Sequence, residues 1–86
     1  MYKLLYTNQA KKDARKLADS NLKKKAQSIL KILEENPFEE YPPYEKLIGD
    51  LTGAFSRRIN IQHRIVYQVL ENEKTVKVLR MWTHFE

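Results

Sequence analysis

An α+β domain is the fold the sequence predicts, with two N-terminal helices laid on one face of a twisted antiparallel sheet in the order β-α-α-β-β-β. Three observations lead there. Residues 8–35 carry apolar side chains at helical spacing with lysines between them; residues 54–85 hold aromatic and β-branched residues in strand-like runs; and a stretch with all three prolines and both glycines, 37–53, separates the two. At 86 residues the chain is sized for one domain, residues 1–86, around a single modest core.

Each element has a local reason. "YKLLYT" mixes aromatic and aliphatic residues ahead of a polar break and reads as a short strand, after which Thr7 is placed to cap a helix. Ala10, Ala14, Leu17 and Ala18 then fall on one narrow face, small enough for close packing on a sheet. Ser20 is the expected cap of a second helix, where Leu22, Ala26, Ile29, Leu30 and Leu33 repeat the pattern until Asn36-Pro37 stops it. The connector "PFEEYPPYEKLIGDLTG" leaves room only for a brief strand at "EKLI". "AFSRRINI", "HRIVYQVLE" and "TVKVLRMWTHF" read as strands, the last two forming a hairpin through "ENEK". Strict alternation would place Val76, Val78, Arg80, Trp82 and His84 on one side of the last strand, with Leu79, Met81 and Thr83 on the other.

Composition narrows the function classes. There are no cysteines, which excludes a disulfide framework and a zinc–cysteine site and leans toward a reducing cytoplasm. No apolar run approaches the roughly 20 residues of a membrane span, and no signal-peptide core opens the chain, so a cytoplasmic protein with no membrane partner is expected. Sixteen Lys and Arg against eleven Asp and Glu give +5 and a pI near 9.5, a balance that suits an anionic partner such as nucleic acid. The charge is not spread evenly: residues 1–35 hold nine bases and four acids, 36–56 one and four, and 57–86 six and three. If the helices cover one face of the sheet, the other is a basic floor holding Arg57 or Arg58, Arg64, Arg80 and His84, suited to a phosphate backbone. The same arginines also suit a solvated face that discourages edge-to-edge aggregation. His63 and His84 have no cysteine or clear carboxylate constellation around them, so no metal or other cofactor is expected and His84, if it acts, acts by proton transfer.

The segments "YEKLIGDLTGAFSRRINIQHRIVYQV" and "WTHFE" together resemble the YoeB/Txe branch of the RelE toxin superfamily, the toxin halves of bacterial toxin–antitoxin modules. The resemblance rests on Glu45 ahead of Leu47, the turn Leu51-Thr52-Gly53, Ser56 to Ile59, His63 to Tyr67, and His84 followed by Phe85, in matching mutual spacing over about half the chain. It implies a RelE-like fold and an endoribonuclease that cuts messenger RNA in the ribosomal A site. It also implies neutralisation by a cognate antitoxin, contact with operator DNA only through the antitoxin complex, and a homodimer. By position, Glu45 matches the family's general base, Arg64 its phosphate-binding arginine and His84 its general acid, with Phe85 in the place of a terminal tyrosine. Arg57 and Arg58 match the paired arginines, expected to make RNA or structural contacts; Lys46 and Arg80 are further candidate RNA contacts. Two positions depart from the pattern: Phe85 lacks the tyrosine hydroxyl, and Ile48 stands where many relatives have lysine.

The chemistry sets its own demands. RNA cleavage without a metal needs a base for the 2′-hydroxyl, a cation for the phosphorane and an acid for the 5′-oxygen. A carboxylate is a weak base near neutrality unless its surroundings strengthen it, imidazole titrates close to neutrality, and a guanidinium can hold two phosphate oxygens at once. Phenylalanine at 85 retains a stacking face and loses a hydrogen-bonding hydroxyl.

Overall fold

The first helix begins where the sequence places a cap. In the computed structural model, which describes residues 1–83, Thr7 has extended backbone and its Oγ1 accepts from the Ala10 N–H at 3.0 Å. Strand β1 (Lys3–Tyr6) precedes it, α1 (Asn8–Ala18) follows, and α2 (Lys23–Glu35) comes after a tight turn. Ser20 is not the cap of α2. Its hydroxyl donates to the Leu17 carbonyl at 2.9 Å and accepts from the Leu22 N–H at 3.1 Å, bracing the turn, so the second helix starts later, with Leu22 as its N-cap residue. Asn36 ends α2 as expected, in extended backbone ahead of Pro37.

The sheet holds five strands in the order β1-β5-β4-β3-β2, with β2 (Tyr44–Lys46), β3 (Ala54–Arg58), β4 (Arg64–Leu70) and β5 (Thr75–Thr83). It is mixed rather than wholly antiparallel, because β1 runs parallel to β5, with Leu4 opposite Val76 and Tyr6 opposite Val78. A parallel pair needs a long crossover between its strands, and here two helices and three strands intervene. The brief connector strand forms at Tyr44–Lys46, one residue earlier than "EKLI" and one shorter. Gly49 and Gly53, with φ of 74° and 96°, supply the left-handed backbone that turns the chain from β2 into β3. β3 ends at Arg58, earlier than "AFSRRINI" suggests, because Asn60 takes over as a turn residue whose Oδ1 accepts from the Gln62 and His63 N–H groups.

The core lies between one face of the sheet and the helices. Ala10, Leu17, Ala26, Ile29 and Leu33 pack with Ile65, Tyr67, Val76, Val78 and Met81, all nearly or fully buried. Ala14 is half-buried and Ala18, at the last position of α1, is exposed.

Strict alternation fails in β5. Tyr67 pairs with Val78 and Val66 with Arg80, so one step in β4 meets two in β5; between Val66 and Arg64, two steps meet three. Extra residues in one strand are β-bulges, which re-aim the side chains that follow. Val76 and Val78 face the core, so the side of the strand that alternation shares with Arg80 and His84 is not the open floor expected for them, and Met81 is the next buried residue, in place of Arg80 and Trp82. The polar groups around these bulges are met from α1 and its cap: Thr7 Oγ1 donates to the Leu79 carbonyl at 2.8 Å, and Asp13 Oδ2 accepts from the Met81 N–H at 3.0 Å and from Arg80 Nε at 2.9 Å. Asp13 is fully buried. Burial pushes its carboxyl pKa up, but the hydrogen bonds from Arg80, the Met81 N–H and Gln9 outweigh that and hold it below the ordinary value.

Candidate active site

Register alone assembles the central cluster. Glu45 pairs with Ser56, Ser56 with Val66, and Arg58 lies directly opposite Arg64. Residues opposite one another in antiparallel strands share a face, so Glu45, Ser56, Arg58 and Arg64 project to the same side of the sheet. This is the side away from Ile65, Tyr67 and Val78, which meet the helices.

Two arginines facing each other repel unless an anion lies between them. Glu45 supplies that charge: Oε2 is 3.6 Å from Arg64 Nη1 and Oε1 is 3.9 Å from Arg58 Nε. Both separations are ion-pair distances, too long for good hydrogen bonds, and the Glu45 and Arg58 side chains are more than half exposed, so each pair contributes at most about 1 kcal/mol of stability. Arg64 differs in being shielded, its side chain only 14% exposed. Ser56, small and buried, leaves space for the longer side chains around it. A cleft of about 630 Å³ adjoins the cluster, lined among others by Lys25, Ile29, Ile32, Tyr41, Glu45 and Arg58.

At the other end of the cluster, Arg64 is paired with Thr83, the residue before His84. His84 and Phe85 themselves lie outside the described residues. Next to this pairing, the His63 and Trp82 rings stack with centroids 3.9 Å apart and planes 18° from parallel.

The remaining candidates are not brought to the cluster. Arg57 is a correction to the RNA-contact reading: it is fully buried, on the face opposite Glu45. Its guanidinium donates to Tyr67 Oη at 3.0 Å, to the carbonyls of Pro37 at 3.1 Å and Glu39 at 2.7 Å, and to the Pro42 carbonyl, and it lies over the Tyr44 ring. Of the two expectations for this residue, RNA or structural contact, its surroundings leave the structural one. Burial raises the Tyr67 hydroxyl pKa, opposed by the charge and hydrogen bond of Arg57. Lys46 is exposed but pairs with Phe55, on the face opposite Glu45. Arg80 stands opposite Val66 in the ladder, yet its Nε is committed to Asp13. Ile48, the position where lysine is common in the family pattern, is 87% exposed.

Sequence reasoning missed Asp13, because a lone aspartate among lysines on a helix reads as solvated; its only local signal was its position three residues after Ala10, on the buried side of α1. No helix among the described residues is long and apolar enough to cross a membrane.

Comparison with known proteins bears on the fold. The chain is 34% identical over 55 residues to the Toxin YoeB of Synechocystis sp., an alignment covering 64% of each protein and so just under two-thirds of that relative. Its fold matches a YoeB/ParE toxin from Agrobacterium tumefaciens with a TM-score of 0.87 at 27% identity, over 96% of this chain and 99% of that one. It matches the toxin of a YoeB-YefM complex from Staphylococcus aureus with a TM-score of 0.82 at 32% identity, over 99% of both chains. A family profile described as the YoeB-like toxin of bacterial type II toxin-antitoxin systems matches residues 6–85. With the α+β fold and these likenesses in agreement, the chain belongs to the family of YoeB-like toxins of bacterial type II toxin-antitoxin systems.

Proposed function

We propose that the protein is a cytoplasmic, ribosome-dependent endoribonuclease that cuts messenger RNA in the A site and is silenced by a cognate antitoxin. The observation that carries this reading is the placement of one carboxylate between two arginines, with the strand leading to His84 paired alongside Arg64.

In this reading the scissile phosphate binds Arg64 and Arg58. Because those two guanidiniums are the ion-pair partners of Glu45, phosphate binding draws them off the carboxylate and leaves it free to accept a proton. Glu45 takes the proton of the 2′-hydroxyl, the 2′-oxygen attacks phosphorus, and the bond to the 5′-oxygen breaks as His84 protonates the leaving oxygen. The products are a 2′,3′-cyclic phosphate and a 5′-hydroxyl, with one proton gained by Glu45 and one given by His84. No metal or other cofactor enters the scheme. Arg64, shielded and permanently charged, stabilises the charge that grows on the phosphorane.

Each proton-transfer group contributes roughly 10²–10⁴ in rate, and an in-line geometry is needed for either to count. The ribosome supplies that geometry by presenting mRNA on a fixed path. A single-turnover assay of programmed ribosomes against a short free RNA tests the scheme: Glu45→Gln and His84→Ala each reduce ribosomal cleavage by about 10²-fold or more, and free RNA is cut far more slowly. Equal cleavage of both substrates removes the ribosome from the mechanism; wild-type cleavage by both variants removes the acid–base pair.

Phe85 favours an attenuated form of the same activity, since the residue at that place has no hydroxyl to offer the phosphate or leaving group. A solved relative forms the YoeB-YefM complex and another structure is a YoeB dimer, both from Staphylococcus aureus. For this chain the corresponding reading is an acidic antitoxin segment that covers the Arg58–Arg64 surface, a homodimer, and operator DNA reached only through the antitoxin assembly.

A further inference from the structure

The hairpin between β4 and β5 begins with an aromatic contact that the cleavage scheme leaves unused. His63 is fixed at its backbone: its N–H donates to Asn60 Oδ1 at 2.7 Å and its carbonyl accepts from the Ile59 N–H at 2.8 Å, so the turn sets where its side chain starts. That ring lies flat on Trp82, 3.9 Å between centroids. Trp82 in turn packs against the core. The imidazole Nδ1 is enclosed with no hydrogen-bond partner among the described residues, so the ring's described contact is made through its face.

The location gives the stack a consequence. β5 reaches this point after two irregular register steps, which loosen the ladder before it resumes at Arg64 and Thr83. Beyond it, Arg64 pairs with Thr83, and His84 follows next in sequence. Side chains must help set where the strand goes after the bulges: Asp13 holds Arg80 and the Met81 N–H, and the His63–Trp82 stack is the contact that follows toward the strand's end.

We propose that His63 is a positioning residue: by stacking on Trp82 it sets the end of β5 beside Arg64, and so the placement of His84 relative to the phosphate. This rests on His84 being the general acid. His63 touches no reacting atom in this scheme and transfers no proton.

The test compares His63→Ala, His63→Phe and Trp82→Ala on programmed ribosomes, with rate and apparent KM measured separately across pH. The chain has one tryptophan, so its emission reports the stack directly. His63→Ala and Trp82→Ala each slow single-turnover cleavage by about 10-fold to 10²-fold, the order expected for misplacement of a catalytic group by an ångström, with KM unchanged within about twofold. The double variant loses no more than either single one, since both remove the same contact. His63→Phe keeps the flat aromatic contact and returns cleavage to within about threefold of wild type with the same pH profile. The inference is overturned if His63→Phe is as slow as His63→Ala, or if its pH profile loses a limb, because His63 would then act through its proton. It is overturned equally if His63→Ala cleaves at the wild-type rate while Trp82 emission shows the stack gone. A His84→Ala control separates the two layers: wild-type cleavage by that variant refutes the acid assignment, whatever the stack variants do. A His63→Ala protein that does not fold leaves the decision to His63→Phe, which preserves the aromatic volume.

Discussion

Replacing Arg57 by lysine distinguishes the two roles that its position in the family pattern allows. The guanidinium is the hub of the Pro37–Pro43 segment: it donates to the carbonyls of Pro37, Glu39 and Pro42 and to the Tyr67 hydroxyl, with no exposed surface. A lysine ammonium presents its donors from a single point and cannot match the planar fork. At least two of the four acceptors lose their partner, and hydrogen bonds to a charged group contribute about 1.5–3 kcal/mol each. Allowing for water entering beside the shorter head group, Arg57→Lys destabilises the protein by about 3 kcal/mol. For a domain of this size that is a fall in Tm of about 12–24 °C. Thermal unfolding followed by circular dichroism, with urea denaturation to confirm an unchanged m-value, measures it without reference to RNA. Arg58→Ala serves as the control, since the exposed ion pair it removes contributes no more than about 1 kcal/mol. If Arg57→Lys melts within about 3 °C of wild type yet loses ribosome or RNA binding, the packing argument is wrong and Arg57 belongs to the RNA surface.

Other perturbations read out different parts of the molecule. Asp13→Asn removes the carboxylate charge and replaces one of its two acceptor oxygens by an N–H donor, so that either Arg80 and the Met81 N–H or Gln9 face a donor, and it is expected to cost about 2–3 kcal/mol in urea unfolding near neutrality. Its folded pKa lies below its unfolded one, so the wild-type contribution is present above pH ~4 and is lost as pH falls through the folded value; Asp13→Asn flattens that part of the stability–pH curve, and a parallel curve for the two proteins contradicts the assignment. Phe85→Tyr accelerates single-turnover ribosomal cleavage by about tenfold, the equivalent of one added hydrogen bond of ~1.4 kcal/mol; identical rates show that the hydroxyl has no role. The antitoxin's association rate falls by about tenfold or more between 50 and 500 mM salt, as measured by stopped flow, and an insensitive rate argues against charge steering.

The features legible in the sequence were those written locally. Thr7 before an apolar periodicity marks a helix start, Asn36-Pro37 a helix stop, and the "ENEK" turn a hairpin, because each depends on residues within a few positions of one another. Glu45, Arg58 and Arg64 were legible through family spacing, and cross-strand register is what brings them together. What escaped is non-local. Nothing near Lys3–Tyr6 announces a parallel partner more than seventy residues away. Strict alternation could not anticipate bulges in β5, so it assigned Arg80 and Trp82 to the side of Val78, where Met81 packs instead. "SRR" presented two arginines with equal claims on RNA, and only the pairing of Tyr44 with Arg57 and of Arg58 with Arg64 shows which one is inside.

The strand order has a consequence for how the protein comes into being. β5 is last in sequence but sits between β1 and β4, so it is a keystone rather than an edge. Until residues 75–83 have been made, the opening strand has nothing to pair with and the β2–β3–β4 meander lacks its inner neighbour. Pairing β1 with β5 joins residues more than seventy positions apart, a non-local contact of the kind that slows folding. Trimming a few residues from an edge strand would shorten a sheet; cutting into β5 would divide this one in two. The same insertion that completes the fold also pairs Thr83 with Arg64, so the strand end that flanks the Glu45–Arg58–Arg64 cluster is in place only once β5 has been seated.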